Sequence, residues 1–171
     1  FPTTIGGRYG FEKITTSDQR QVLGAEMAFP DGRKYRYVEN GGTAIEEGMI
    51  VASEAPAGNH DEDLAVATTA AGASSVTVTL GATAAAENLY AEGYLFFNLP
   101  TLSTAGSRVF YKIKSHPQAD GSATLALTLD EPDKTVIAVT NGTETAGLIK
   151  SPYKDIVVAP AAVAGRFVGL A

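Results

Sequence analysis

Residues 75–80 read Ser75-Val76-Thr77-Val78-Thr79-Leu80, a strict alternation of apolar and hydroxyl-bearing side chains. Successive side chains of a strand point to opposite faces, so Val76, Val78 and Leu80 share one face and Ser75, Thr77 and Thr79 the other. One face suits a core and the other suits water. The same period returns at 123–129, where Leu125, Leu127 and Leu129 alternate with Thr124, Ala126 and Thr128. It returns again in Phe110-Tyr111-Lys112-Ile113-Lys114. These three segments predict sheet strands bordering a common core.

Working outward, β-branched and aromatic runs predict further strands over 34–38, 49–53, 64–68, 93–98, 108–114, 136–140, 155–158 and 166–170, punctuated by Gly, Asn, Asp and Pro. The Ala-rich stretch 83–90 is compatible with one or two helical turns, and 69–73 and 159–164 read as connectors. The fold class is therefore all-β: a sandwich, a jelly-roll-like fold or a partly open barrel, with an extended N-terminal arm. The arm covers residues 1–30, where Phe11, Ile14, Val22 and Leu23 are too sparse to seal a core; the alternative for this stretch is an ordinary edge strand and loop packed on the domain they precede. Residues 31–171 form a single β domain in this reading.

Composition narrows the function classes. The 171 residues carry 13 Lys and Arg against 19 Asp and Glu, a net charge of −6. Such an acidic chain argues against a surface built on phosphate contacts, so no nucleic-acid partner is expected. Cysteine is absent, which excludes disulfides and a thiolate nucleophile. No run approaches the roughly 18–20 apolar residues that span a bilayer, and residues 1–10 lack a basic region followed by an apolar one. Folding in a cytoplasm, without a membrane partner, is the expectation.

Catalysis needs convergent titratable groups, and the two histidines are the first candidates. His60 lies in Asn59-His60-Asp61-Glu62-Asp63, which reads as a solvated acidic turn and lacks the ligand alternation and Gly of a calcium loop. His116, in Ser115-His116-Pro117, reads as a strand-end residue before a chain reversal. Ser107, Ser115 and Ser151 sit in no nucleophile elbow, and Gly6-Gly7 and Gly41-Gly42 lack the rest of a phosphate loop. Asn141-Gly142-Thr143 matches a glycosylation acceptor, but Asn-Gly is also the commonest tight-hairpin turn, here between 136–140 and 148–150. The expectation is no catalytic residue, no cofactor and no metal.

One ordered set of segments carries a resemblance. Asp31-Gly32-Arg33-Lys34-Tyr35-Arg36-Tyr37-Val38 is followed by Gly41-Gly42-Thr43-Ala44-Ile45-Glu46-Glu47-Gly48-Met49-Ile50-Val51. Then come Tyr90-Ala91-Glu92-Gly93-Tyr94-Leu95-Phe96-Phe97-Asn98, Tyr111-Lys112-Ile113-Lys114-Ser115-His116-Pro117 and a segment from Leu125 to Pro132. In order and spacing the chain resembles the head decoration, or cement, proteins of tailed bacteriophages. It departs from them in a less glycine-rich loop over 98–106.

The resemblance implies a non-enzymatic virion protein, bound in many copies to the outer capsid surface across joints between major capsid protein subunits. The threefold symmetry of local capsid sites points to a homotrimer. For the contact surface the expectation falls on Arg8, Tyr9, Phe11, Arg20 and Phe29, because aromatic and Arg side chains are favoured at interface centres while Asp and Glu are depleted there. The alternative is a receptor- or glycan-binding fibre-associated virion protein. Tyr94 with Phe96, or Tyr35 with Tyr37, would then supply stacking faces.

Overall fold

The computed structural model describes residues 4–98, 110–130, 134–159 and 167–170. The loop after Asn98, the start of the strand expected at 108–114 and most of the 159–164 connector lie outside them. The chain is all-β, and its backbone groups into two units. One spans 56–151, and the other combines the segments before 56 and after 151. The sequence suggested a boundary at residue 30, but strands pair across that point.

The unit over 56–151 is a closed antiparallel barrel of six strands. Number all strands in chain order: β1 Ile5–Gly6, β2 Glu26–Ala28, β3 Lys34–Arg36, β4 Ile50–Ala52, β5 Leu64–Val66 and β6 Ser75–Thr79. The remainder are β7 Tyr94–Asn98, β8 Phe110–Ser115, β9 Thr124–Leu129, β10 Thr145–Ile149, β11 Val157–Val158 and β12 Phe167–Leu170. A β5–β6 hairpin and a β7–β8–β9 meander join where β6 pairs with β9. β10 closes the ring by pairing with β5 on one side and β7 on the other.

The alternation places the side chains. Val76, Val78, Leu125, Leu127 and Leu129 fill the barrel with Leu95, Phe97, Tyr111, Ile113 and Leu148. Each such side chain contributes about 1.5–3 kcal/mol by leaving water, and the twofold strand period sends them all inward.

Three expectations are corrected here. Residues 136–140 form no strand, although Ile137 and Val139 are buried; the segment instead pairs Val139 with Thr69 in a single bridge and ties Thr135 to Ala73. The expected hairpin at Asn141-Gly142 is therefore a turn leading into β10. Residues 83–90 hold turns rather than a helix, because Ala85 pairs with Ala119 in an isolated bridge.

Of β10, Thr145-Ala146-Gly147-Leu148-Ile149, only the end falls in the segment 148–150 expected as a hairpin partner; its start is not predicted as a strand because its small residues break the apolar period. Gly147 is required there. A Cβ at that point would overlap the ring of Phe96, its register partner on β7, and the carbonyl oxygen of Asp61. Gly147→Val is expected to destabilise the barrel by about 1–3 kcal/mol through overpacking. A lowered urea midpoint checks this.

In the other unit, β1, β2 and β3 form one sheet, and β4 lies between β11 and β12 in a second. The stretch read as an arm supplies β1 and β2, and Leu23, Ala25 and Phe29 are buried. Lys13–Val22 are exposed throughout. Glu26 on β2 is bridged by Lys34 and Arg36 on β3 at 3.2 and 2.7 Å.

Candidate interface surfaces

The expected contact residues are placed unequally. Phe29 is only 5% exposed, and Tyr9, 72% exposed, packs on it with ring centres 5.6 Å apart. Arg8, Phe11 and Arg20 are exposed. Phe11 begins a 3-10 turn, Phe11–Lys13. The Arg20 backbone N–H donates to the Tyr37 hydroxyl at 3.0 Å. Of the five, the structure brings Tyr9 and Phe29 into one ring stack.

That stack continues through Tyr35, expected only as a glycan-stacking face with Tyr37, and Arg33, not singled out as a contact. Tyr35 meets Phe29 edge-on at 5.5 Å. The Arg33 guanidinium lies 5.5, 5.0 and 6.0 Å from the ring centres of Tyr9, Phe29 and Tyr35. The available signal was period two, since Arg33 and Tyr35 stand two residues apart on one extended segment.

Arg33 is held in place from behind. Its Nε donates to Asp31 Oδ2 at 2.8 Å, its backbone N–H donates to Asp31 Oδ1 at 3.1 Å, and its Nη1 donates to the Tyr35 hydroxyl at 3.2 Å. The backbone amide first, then the guanidinium, hold the Asp31 carboxyl below its ordinary value. The same side-chain bonds to Asp31 and Tyr35 raise the Arg33 guanidinium. The result is a cation fixed among three rings, two of which are reachable from solvent.

A second aromatic surface covers part of the barrel exterior. On β7, β8 and β10 the outward side chains include Tyr94, Phe96, Phe110 and Ile149, and Tyr94 and Phe110 are 39% and 56% exposed. Phe110 contacts Tyr94 at 6.4 Å and Phe96 at 5.9 Å between ring centres. Ile149 sits opposite Tyr94 in the ladder. Across the barrel, β6 and β9 present Ser75, Thr77, Thr79, Thr124, Ala126 and Thr128 instead. The barrel wall therefore has an aromatic side and a small, hydroxyl-rich side.

The histidines serve the barrel interior. His60 is fully buried, which corrects the solvated-turn expectation for it; Asp61, Glu62 and Asp63 are exposed as expected. The Thr83 carbonyl can only accept, so His60 Nε2–H donates to it at 2.8 Å, leaving Nδ1 as acceptor for the Tyr90 hydroxyl at 2.5 Å. His116 Nε2 accepts from the Tyr90 backbone N–H at 2.9 Å, and its Nδ1–H donates to the Pro117 carbonyl at 2.8 Å. Both imidazoles are thus engaged at both nitrogens. Among the described residues, no three His, Asp or Glu side chains are grouped to hold a metal ion.

Burial, and secondarily the charge of Asp61, push the Tyr90 phenol above its ordinary value of 10.0. The folded phenol keeps its proton to higher pH than the unfolded one. Its contribution is therefore complete below pH 10.0 and is lost as pH rises through the folded value. Between pH 10.0 and that folded value, barrel stability is expected to fall by up to about 1.4 kcal/mol per pH unit from this group alone. Urea midpoints below and above pH 10.0, with Tyr90→Phe lacking this part of the slope, test the expectation.

Comparison of the chain with protein-family models, curated proteins and solved structures finds no match.

Proposed function

We propose that this chain is a virion structural protein that decorates the outer surface of a tailed-bacteriophage head and cements major capsid protein subunits, stabilising the mature shell. The observation that carries the proposal is the braced Tyr9–Arg33–Tyr35 surface. Aromatic and Arg side chains dominate binding energy at protein interfaces, and a contact already rigid in the free protein loses little entropy on docking. The order and spacing of the segments between residues 31 and 132 support the same reading. In it the chain is not an enzyme, and its partners are the major capsid protein and other copies of itself, as a homotrimer. Three linked copies bind three equivalent sites with raised effective concentration, so each contact can be modest.

The Tyr94–Phe96–Phe110 surface favours a second reading, a receptor- or glycan-binding virion protein, because exposed rings on one sheet face can stack on sugars. Copy number separates the two. Quantitative mass spectrometry of purified particles is expected to give this chain at a ratio near one to one, or one to a few, with the major shell protein. A few copies per hundred would transfer the assignment to the receptor reading, and absence from particles would overturn both.

A further inference from the structure

We infer that Asn141 is a site of spontaneous deamidation, and that the fold directs this chemistry to Asn141 and away from Asn40. These are the chain's two Asn-Gly pairs. In such a pair the amide nitrogen of the glycine, losing its proton to solvent base, attacks the side-chain carbonyl carbon of the asparagine. The bond from that carbon to the side-chain nitrogen breaks and ammonia leaves, giving a cyclic imide. Water then opens the imide at either carbonyl, yielding aspartate or isoaspartate. The only co-reactants are water and base, and glycine suits the step because no side chain shields its nitrogen.

The two sites differ in whether that nitrogen is available. Asn141, Gly142 and Thr143 are all exposed. Gly142 lies in the left-handed region at φ +79°. The neighbouring amides are all engaged: Asn141 N–H donates to Thr68 Oγ1 at 3.2 Å, and Thr143 and Glu144 N–H donate to the Thr140 carbonyl at 3.2 and 3.3 Å. The Gly142 N–H has no such partner among the described residues. At the other pair, Gly41 N–H donates to the Ile156 carbonyl at 3.0 Å, and Asn40 is bridged to Ile156. Attack there requires that backbone pairing to open first.

Two consequences follow for the barrel. The product adds a negative charge beside Glu144, whose carboxylate accepts from the Thr140 N–H at 2.7 Å. Isoaspartate also lengthens the backbone by one carbon between the Val139–Thr69 bridge and β10, the strand that closes the ring.

The test is to incubate the full chain in mildly alkaline buffer, folded and in parallel unfolded in urea, and to read acid at residues 40 and 141 separately from fragment spectra of its peptides. In the folded chain, acid is expected to accumulate severalfold faster at 141 than at 40, and in urea at comparable rates. Equal rates in the folded chain, or faster reaction at 40, would overturn the inference. Asn141→Gln is expected to remove most of the acidic species that ion exchange resolves with time; their persistence would overturn it as well.

Discussion

Replacing His116 with alanine is expected to lower the stability of the barrel unit by about 3–5 kcal/mol. The ring sits directly after β8 and is 3% exposed. Its removal leaves a cavity beside Tyr90 and strips the Tyr90 backbone N–H of its acceptor. A truncation of this size alone costs about 2–5 kcal/mol, and an orphaned buried donor about 1–3. The backbone around the site is fixed by Asn88, whose Oδ1 accepts from the His116 N–H at 3.0 Å and whose own N–H donates to the His116 carbonyl at 3.1 Å. Asn88 does this from the left-handed region, φ +56°, where asparagine is tolerated better than most residues. This rigid setting limits collapse into the void. Urea unfolding followed by circular dichroism measures the loss, with exposed Lys114→Ala expected within about 0.5 kcal/mol of the parent. A loss under about 1 kcal/mol for His116→Ala would show that solvent replaces the imidazole.

The second large effect concerns binding. Tyr9→Ala combined with Arg33→Ala is expected to weaken attachment to purified shells lacking this chain by about 2 kcal/mol or more, roughly thirty-fold, with little change in the circular dichroism spectrum. Arg33 makes its cation–π contacts at the solvent-exposed surface, where they add little to the stability of the free chain, so its loss leaves the fold standing. Unchanged attachment would remove the ring stack from the interface and direct attention to Tyr94 and Phe110. Deleting residues 1–24 would be a poorer test, because it removes β1 and the buried Leu23 together with Tyr9.

Much of the barrel was legible in the sequence because its strands alternate. Ser75–Thr79, Thr124–Leu129 and Phe110–Ser115 have one wet and one dry face, and twofold periodicity records that directly. The start of β10 was not legible, since its fitness as a strand depends on what lies over Gly147, the ring of Phe96 fifty-one positions earlier. Residues 136–140 misled for the converse reason: their burial alternates, yet their backbone partners lie in the connection after β5 rather than in a ladder. At the candidate site, Tyr9 and Phe29 were legible as residue types suited to an interface. That Phe29 supports and Tyr9 presents depends on tertiary packing. His60 was misplaced because three carboxylates follow it, while the groups that draw it inward, Tyr90 and Thr83, are distant in sequence.

The connectivity of the two units sets an order of folding. The barrel is one uninterrupted segment, and its last strand, β10, ends at Ile149. β4 belongs to the other unit, and both of its sheet neighbours, β11 and β12, come from the end of the chain. During synthesis the barrel therefore has all its strands while β4 still waits for its partners, and domains tend to fold as they emerge. The barrel is in effect an insertion whose early closure ties His60 to Leu148 through a backbone hydrogen bond, near its two ends. The long loop that must close before β4 meets β11 and β12 is then shortened before those strands pair, which lowers the entropy that pairing has to overcome.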